Sequence, residues 1–484
     1  MSAPQNETVP EAMDTDKMKK GKEELAALEV QIGEYKALAK VNFEEALEKL
    51  LALEKQKRLA AEMAPTRMVC VAIVQACFVT SSWARLNEHI ILLSKRRSQI
   101  KQAVVGMVQE SMTYIEKTPD METRVELIST LSTVTSGKIY VEVERARLVR
   151  QLAKIKEDQG KVDEAAELMQ EVAVETFGAM AKTEKVMFIL EQVRLCLLKK
   201  DYVRAAILAK KISPRTFMEK EAPKEKTKKA TADQEAPPEQ AALEGTPLLP
   251  ELKLMYYELM IQIHKEANEY LDICRCYQAV YQDKAVADDA TRWAPVLTKI
   301  AWYVVLAKHG SEQSSMLHSV AAEKKLQELP AYHSLLKQFI TMEVIRWPTL
   351  KQGYEAEMAS EADIFGGEIG AKRIEDVHQR VVEHNILVIR KYYSRLKLER
   401  LAEMLDLSED EAERHLSDMV VSKVVSAKLD RPAGIIAFQD RSKQEPTELL
   451  NSWASNIERV LALVDQSCHK IHKECVTHKV PIGA

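Results

Sequence analysis

A short pattern returns along this chain at intervals of about forty residues, and it dictates a helical repeat architecture. A polar or turn-forming residue precedes a bulky one, two variable positions follow, and then comes Ala or an aliphatic residue. The copies are Asn42-Phe43-Glu44-Glu45-Ala46, Ser82-Trp83-Ala84-Arg85-Leu86, Lys161-Val162-Asp163-Glu164-Ala165, Asp201-Tyr202-Val203-Arg204-Ala205 and Glu269-Tyr270-Leu271-Asp272-Ile273. The first four bulky residues are separated by 40, 79 and 40 positions, or one, two and one period. The skipped copy falls near Asp120-Met121, where Pro119-Asp120 supplies a turn. A turn ends one helix, the bulky side chain wedges between the pair, and the small residue one turn later lets the helices approach. The expected architecture is all-α dominated, a right-handed α-solenoid of helical hairpins. Chance spacing in an alanine-rich chain is the alternative, and it too leaves the segment helical.

Composition agrees. Glycine contributes 14 of 484 residues, under half its usual share of roughly 7%, which disfavours strand-rich folds and glycine-rich phosphate loops. Lys plus Arg is 69 and Asp plus Glu 73, so a net charge of −4 gives no reason to expect nucleic acid or an anionic membrane. The seven cysteines are scattered and odd in number, the pattern of a reducing compartment. Met1 to Lys22 has no apolar run, and no segment reaches the ~18 apolar residues of a membrane span. A soluble, intracellular protein is expected.

The pattern stretches between Tyr202 and Tyr270, a gap of 68 residues. The excess coincides with Glu219 to Pro250, which holds five prolines, seven acidic residues, five lysines and no aromatic residue. That composition reads as a flexible insertion within a solenoid over 25–250, after a disordered tail at 1–24. An ordered arm against a partner is the alternative.

Val377 to Phe438 reads as a helix, a helix-turn-helix and a two-stranded wing, closing a second domain over 251–440. Val381, Ile386, Ile389 and Tyr393 form one apolar stripe, and Leu398, Leu401, Ala402 and Leu405 a second. Ser408 is placed to cap a helix from Glu409, which turns Ala412, Leu416, Met419 and Val420 inward. Val424–Leu429 and Ile435–Phe438 are β-like runs joined by Asp430-Arg431-Pro432-Ala433-Gly434. A DNA-reading helix would meet phosphate, yet Glu409–Ser422 holds Glu409, Asp410, Glu411, Glu413 and Asp418 against Arg414 alone. This winged helix therefore suits a protein partner, with Val424, Ile435, Ile436 and Phe438 as candidate contacts.

After Pro446, Leu450, Ile457, Val464 and Ile471 recur every seven residues, flanked by Trp453 and Val460 on one side and Leu461 on the other. This predicts a long amphipathic helix over 446–484. Its apolar stripe either packs back on its own chain or enters an intermolecular bundle.

No catalytic constellation emerges. Gly137-Lys138 and Gly160-Lys161 lack the rest of a phosphate loop, and no nucleophile elbow or paired-histidine metal motif is present. His469, His472, Cys475 and His478 are the best metal candidates, but residues three apart rotate around a helix and do not converge on one ion unless it breaks. Cys274-Arg275-Cys276 lacks a second ligand pair. No enzyme, cofactor or metal is expected. The basic run Ser94–Lys101 reads as a helix C-terminus opposing the dipole, or else as an acidic-partner or nuclear-import surface.

A helical solenoid running into an acidic winged helix resembles the PCI-domain family. Leu92–Val104, Gly137–Leu148, Arg380–Ile386 and Asp430–Ile436 narrow this to the 55-kDa-type non-ATPase subunits of the 26S proteasome lid, and the likeness runs from about Phe43 to Ile471. The resemblance implies a non-catalytic scaffold of cytoplasm and nucleus, within a hetero-oligomer that binds neither nucleic acid nor membrane. Its implied neighbours are other PCI lid subunits, the deubiquitinating lid subunit, the ATPase ring and the core particle. Sister PCI complexes, the COP9 signalosome and translation initiation factor three, are the competing assemblies.

Overall fold

The computed structural model describes residues 11–217, 245–438 and 445–478. Most of the insertion read at 219–250, the first residues of the tail and the extreme C-terminus lie outside them. The chain divides into two units between Tyr256 and Tyr257.

The first unit holds α1 (Glu11–Ala39), α2 (Phe43–Leu59), α3 (Met63–Val79), α4 (Trp83–Lys95), α5 (Lys101–Met112), α6 (Met121–Thr135), α7 (Glu142–Asp158), α8 (Val162–Gln170), α9 (Lys182–Leu198) and α10 (Tyr202–Ala209). Phe43, Trp83, Val162 and Tyr202 each open the second helix of a hairpin, and so does Met121, the copy the pattern skipped. The packing differs from the expected wedge. The bulky residues are half-buried over the turn, whereas Ala46, Ala165 and Ala205 three positions on are fully buried.

Four of these helix ends close alike. The backbone N–H of Ser82 donates to Cys77, that of Lys161 to Lys156, that of Asp201 to Cys196 and that of Glu62 to Lys57. The residue before each, Ser81, Gly160, Lys200 or Ala61, adopts positive φ, which is the Schellman closure.

The second unit opens in α11 (Leu249–Ala267), which starts inside the segment read as flexible, so that reading is shortened at its C-terminal end. Then follow α12 (Tyr270–Tyr281), α13 (Lys284–Ala287), α14 (Ala290–Leu306), α15 (Ser311–Ala321), α16 (Pro330–Ile340), α17 (Trp347–Gly353), α18 (Glu355–Ser360) and α19 (Ala362–Phe365). Trp302 and Tyr303 of α14 are wholly buried at the centre of this layer. The long α20 (Gly367–Tyr392) is shared between two cores. Val377 and Val381 pack into the α14 layer, while Val382, Ile386 and Ile389 pack under the winged helix. The stripe read as ending in Tyr393 is thereby revised, because Tyr393 is 40% exposed where α20 gives way to extended backbone.

The winged helix comprises β1 (Arg395–Lys397), α21 (Leu398–Leu405), α22 (Glu409–Val421), β2 (Ala427–Asp430) and β3 (Ile435–Phe438). Its sheet has three strands, not two, in the antiparallel order β1-β3-β2. The last helix, α23, spans Glu445–His478.

Candidate partner-binding site

Ser408 caps α22 as its sequence suggests. Its hydroxyl accepts from the Glu411 backbone N–H at 3.4 Å, while the Glu411 carboxylate accepts from the Ser408 backbone N–H at 3.2 Å. Asp406 turns the chain with φ 56°, leaving Leu401, Leu405, Ala412, Leu416 and Met419 facing one core. Outside this core the acidic side chains of Glu409, Asp410 and Asp418 are exposed. Arg431 in the wing turn pairs with Glu413 at 2.8 Å, so part of the basic charge near the helix is already spent within the module.

The sheet redistributes the four candidate wing residues. β3 is central, with Leu396 opposite Ile436 on one side and Leu429 opposite it on the other. Ile436 is 0% exposed and Phe438 8%, so their side chains belong to the module's own core and not to a partner surface. Alternation along the strand sends Ile435 outward, at 38% exposure, and Val424 is half-buried beside β2. β1 and β2 are the edge strands of the sheet. Sequence reading missed β1 because three residues with a single apolar member carry almost no strand signal. Lys428, Asp430, Arg395 and Lys397 put charges along these edges, the usual guard against indiscriminate pairing.

Helix α23 presents the other candidates. Leu450, Trp453, Ile457, Val460, Leu461, Val464 and Ile471 are all exposed, between 40% and 64%. Among the described residues nothing covers this stripe. The helix is unbroken through His478, so residues three apart do not stack on one face of it, and His472 Nδ1 meets the Cys468 carbonyl oxygen at 2.8 Å.

Chemistry-bearing groups elsewhere have structural surroundings. Burial pushes the thiols of Cys70, Cys77 and Cys276 up to about 12 and raises Cys274 further, which keeps them protonated and unreactive. Among the described residues, His264, Glu269 and Asp272 approach closely enough to share an ion. All three are already engaged: His264 Nδ1 lies 2.7 Å from Glu269, and Asp272 pairs with Arg275 at 2.8 Å. The basic run Ser94–Lys101 is partly internal, since Arg96 and Gln99 bond to the wholly buried Glu54 carboxylate. No helix among the described residues is long and apolar enough to cross a membrane.

Comparison with known proteins finds three family matches along the chain, the first of which runs past the division between the two units. Residues 45–231 and 245–289 match the PSMD12/CSN4 N-terminal family, 341–440 the PCI domain, and 447–479 the C-terminal domain of 26S proteasome regulatory subunit RPN5. The chain is 53% identical over 439 residues to 26S proteasome non-ATPase regulatory subunit 12 homolog A of Arabidopsis thaliana, covering 91% of this chain and 98% of that one. With 26S proteasome regulatory subunit RPN5 of Saccharomyces cerevisiae it shares 37% identity, over 91% of this chain and 93% of the other. Subunit 4 of the COP9 signalosome complex of Drosophila melanogaster is more distant, at 24% over 80% and 83%. Full-length similarity of this degree means that the chain belongs to the family of 26S proteasome non-ATPase regulatory subunit 12.

Proposed function

We propose that the chain is a non-catalytic scaffold subunit of the 26S proteasome regulatory-particle lid, supporting lid assembly and ubiquitin-dependent degradation. The observation that carries this reading is α23, a helix of 34 residues whose heptad-spaced apolar side chains are all in solvent. An isolated helix of that kind does not offset the ~1–2 kcal/mol per residue lost on ordering. Each large side chain can return about 1.5–3 kcal/mol once covered by a partner surface. In this reading Leu450, Trp453, Ile457, Val460, Leu461, Val464 and Ile471 enter a bundle of C-terminal helices. The wing edges beside Val424 and Ile435 add to neighbouring PCI subunits by strand pairing. The solenoid is the surface toward the deubiquitinating subunit, the ATPase ring and the core particle, in cytoplasm and nucleus.

A role in the COP9 signalosome is the competing reading, and 53% identity to a proteasome subunit against 24% to a signalosome subunit weighs against it. Mass spectrometry of the natively purified, tagged chain tests the choice. Stoichiometric proteasomal ATPases and lid subunits are expected. A preparation holding signalosome subunits in their place overturns the assignment.

A further inference from the structure

Helices α3 and α5 of the first unit flank a surface groove of about 520 Å³. Arg67, Met68 and Val71 line one wall, and Gly106, Gln109 and Glu110 the other. Gly106 is the unexpected member. It sits inside α5, where glycine costs about 1 kcal/mol relative to alanine. A Cβ there would stand 2.7 Å from Arg67 Nε and 2.9 Å from its Cγ. With no side chain at Gly106, the stem of Arg67 lies directly against α5.

That side chain makes no hydrogen bond or ion pair among the described residues, and Arg67 is exposed. The polar groups opposite it are turned to other partners. Glu110 Oε1 accepts from Gln75 Nε2 at 2.8 Å and from the Tyr114 hydroxyl at 2.7 Å, and Gln109 donates to Glu144 at 2.8 Å. A guanidinium thus lies against α5 with no partner among the described residues. Half-buried Met68 and Val71 supply apolar surface beside it. Glu110 sets a limit of its own, because its charge in the same groove opposes a run of acidic residues.

We propose that the α3–α5 groove docks an extended peptide segment of a partner protein bearing one acidic side chain, read by Arg67, between apolar side chains that seat on Met68 and Val71. A planar guanidinium offers a carboxylate two parallel donors, which lysine in the same place would not.

Fluorescence anisotropy with the full chain tests this, using the labelled peptide Gly-Leu-Ser-Asp-Ser-Leu-Gly, whose Leu residues share a face with Asp in extended backbone, and counterparts with Asn or Lys replacing Asp. Saturable binding of the Asp peptide is expected, weaker by about tenfold or more for the Asn peptide and for Arg67→Met, the weight of a charge-assisted pair. Gly106→Ala is expected to weaken it similarly by displacing Arg67. Arg67→Glu is expected to transfer the preference to the Lys peptide, a gain that a misfolded variant does not produce. Equal binding of the Asp and Asn peptides, parental binding by Arg67→Met, or no saturable binding of the Asp peptide overturns the proposal.

Discussion

Glu54 has no exposed surface, and its carboxylate is held between two helices and a loop. Arg58 Nε reaches it at 3.1 Å from the next turn of α2, Arg96 from the end of α4, and Gln99 at 3.3 Å from the loop beyond. Gln99 also donates to the Leu93 carbonyl at 3.1 Å, which fixes the loop on the helix it leaves. Removing one member of such a group leaves the others charged and desolvated, at about 3–5 kcal/mol. Glu54→Ala is therefore expected to destabilise the first unit by roughly that amount in urea unfolding followed by circular dichroism. A loss below about 1 kcal/mol would mark the pair as solvent-screened. His384 answers to pH. Its Nε2 lies 3.1 Å from the Glu343 carbonyl oxygen, its ring stands edge-on to Phe339, and burial holds its pKa below the ordinary value of 6.5. In the folded chain the ring stays neutral where the unfolded chain takes up a proton. Stability is therefore complete above about pH 7 and falls as pH drops through 6.5 toward the depressed value. Neighbouring Glu383, whose carboxyl is pushed up by burial, acts in the opposite sense. Comparing unfolding free energies of the parent and His384→Gln across this range isolates the histidine, and the variant is expected to show the shallower decline.

At the scale of elements, the repeat pattern marked where second helices begin, because polar-then-bulky residues recur at each start. It did not reveal how the helices end. Positive φ is needed at Ala61, Ser81, Gly160, Lys200 and Asn268, yet only one of the five is glycine, so composition gave no sign of the closure. An L-residue in that conformation carries about 1–2 kcal/mol of strain, and part of this is recovered in glycine after its greater freedom when unfolded. Lys200→Gly is accordingly expected to stabilise the chain by about 0.5–1 kcal/mol, read as a higher urea midpoint with unchanged slope. A lower midpoint would show that the Lys200 side chain contributes more than its backbone costs. The winged helix was legible in its two helices, whose apolar stripes and Ser408 cap are strong local signals. The third strand was not, since Arg395–Lys397 pairs with β3 across 40 residues and only tertiary context selects it.

For the whole molecule, the division between buried and unpartnered apolar surface separates what folds the chain from what remains to be covered. The sequence reading treated Ile436 and Ile457 alike, as candidate partner contacts. The structure places the first in a core and leaves the second 40% exposed, a distinction that depends on what lies across from each residue. The test follows from that difference. Leu450→Asp, Ile457→Asp and Val464→Asp combined are expected to leave the helical content and unfolding of the isolated chain unchanged within about 0.5 kcal/mol, because exposed positions contribute little to their own fold. In cells the same variant is expected to be depleted from purified complexes, since three covered side chains at about 1.5–3 kcal/mol each are replaced by buried charge. Asn456→Ala with Arg459→Ala lies off the heptad line and is expected to assemble as the parent does. Incorporation of the Asp variant at parental stoichiometry would exclude α23 as an assembly element and leave the wing edges and the solenoid to hold the subunit in place.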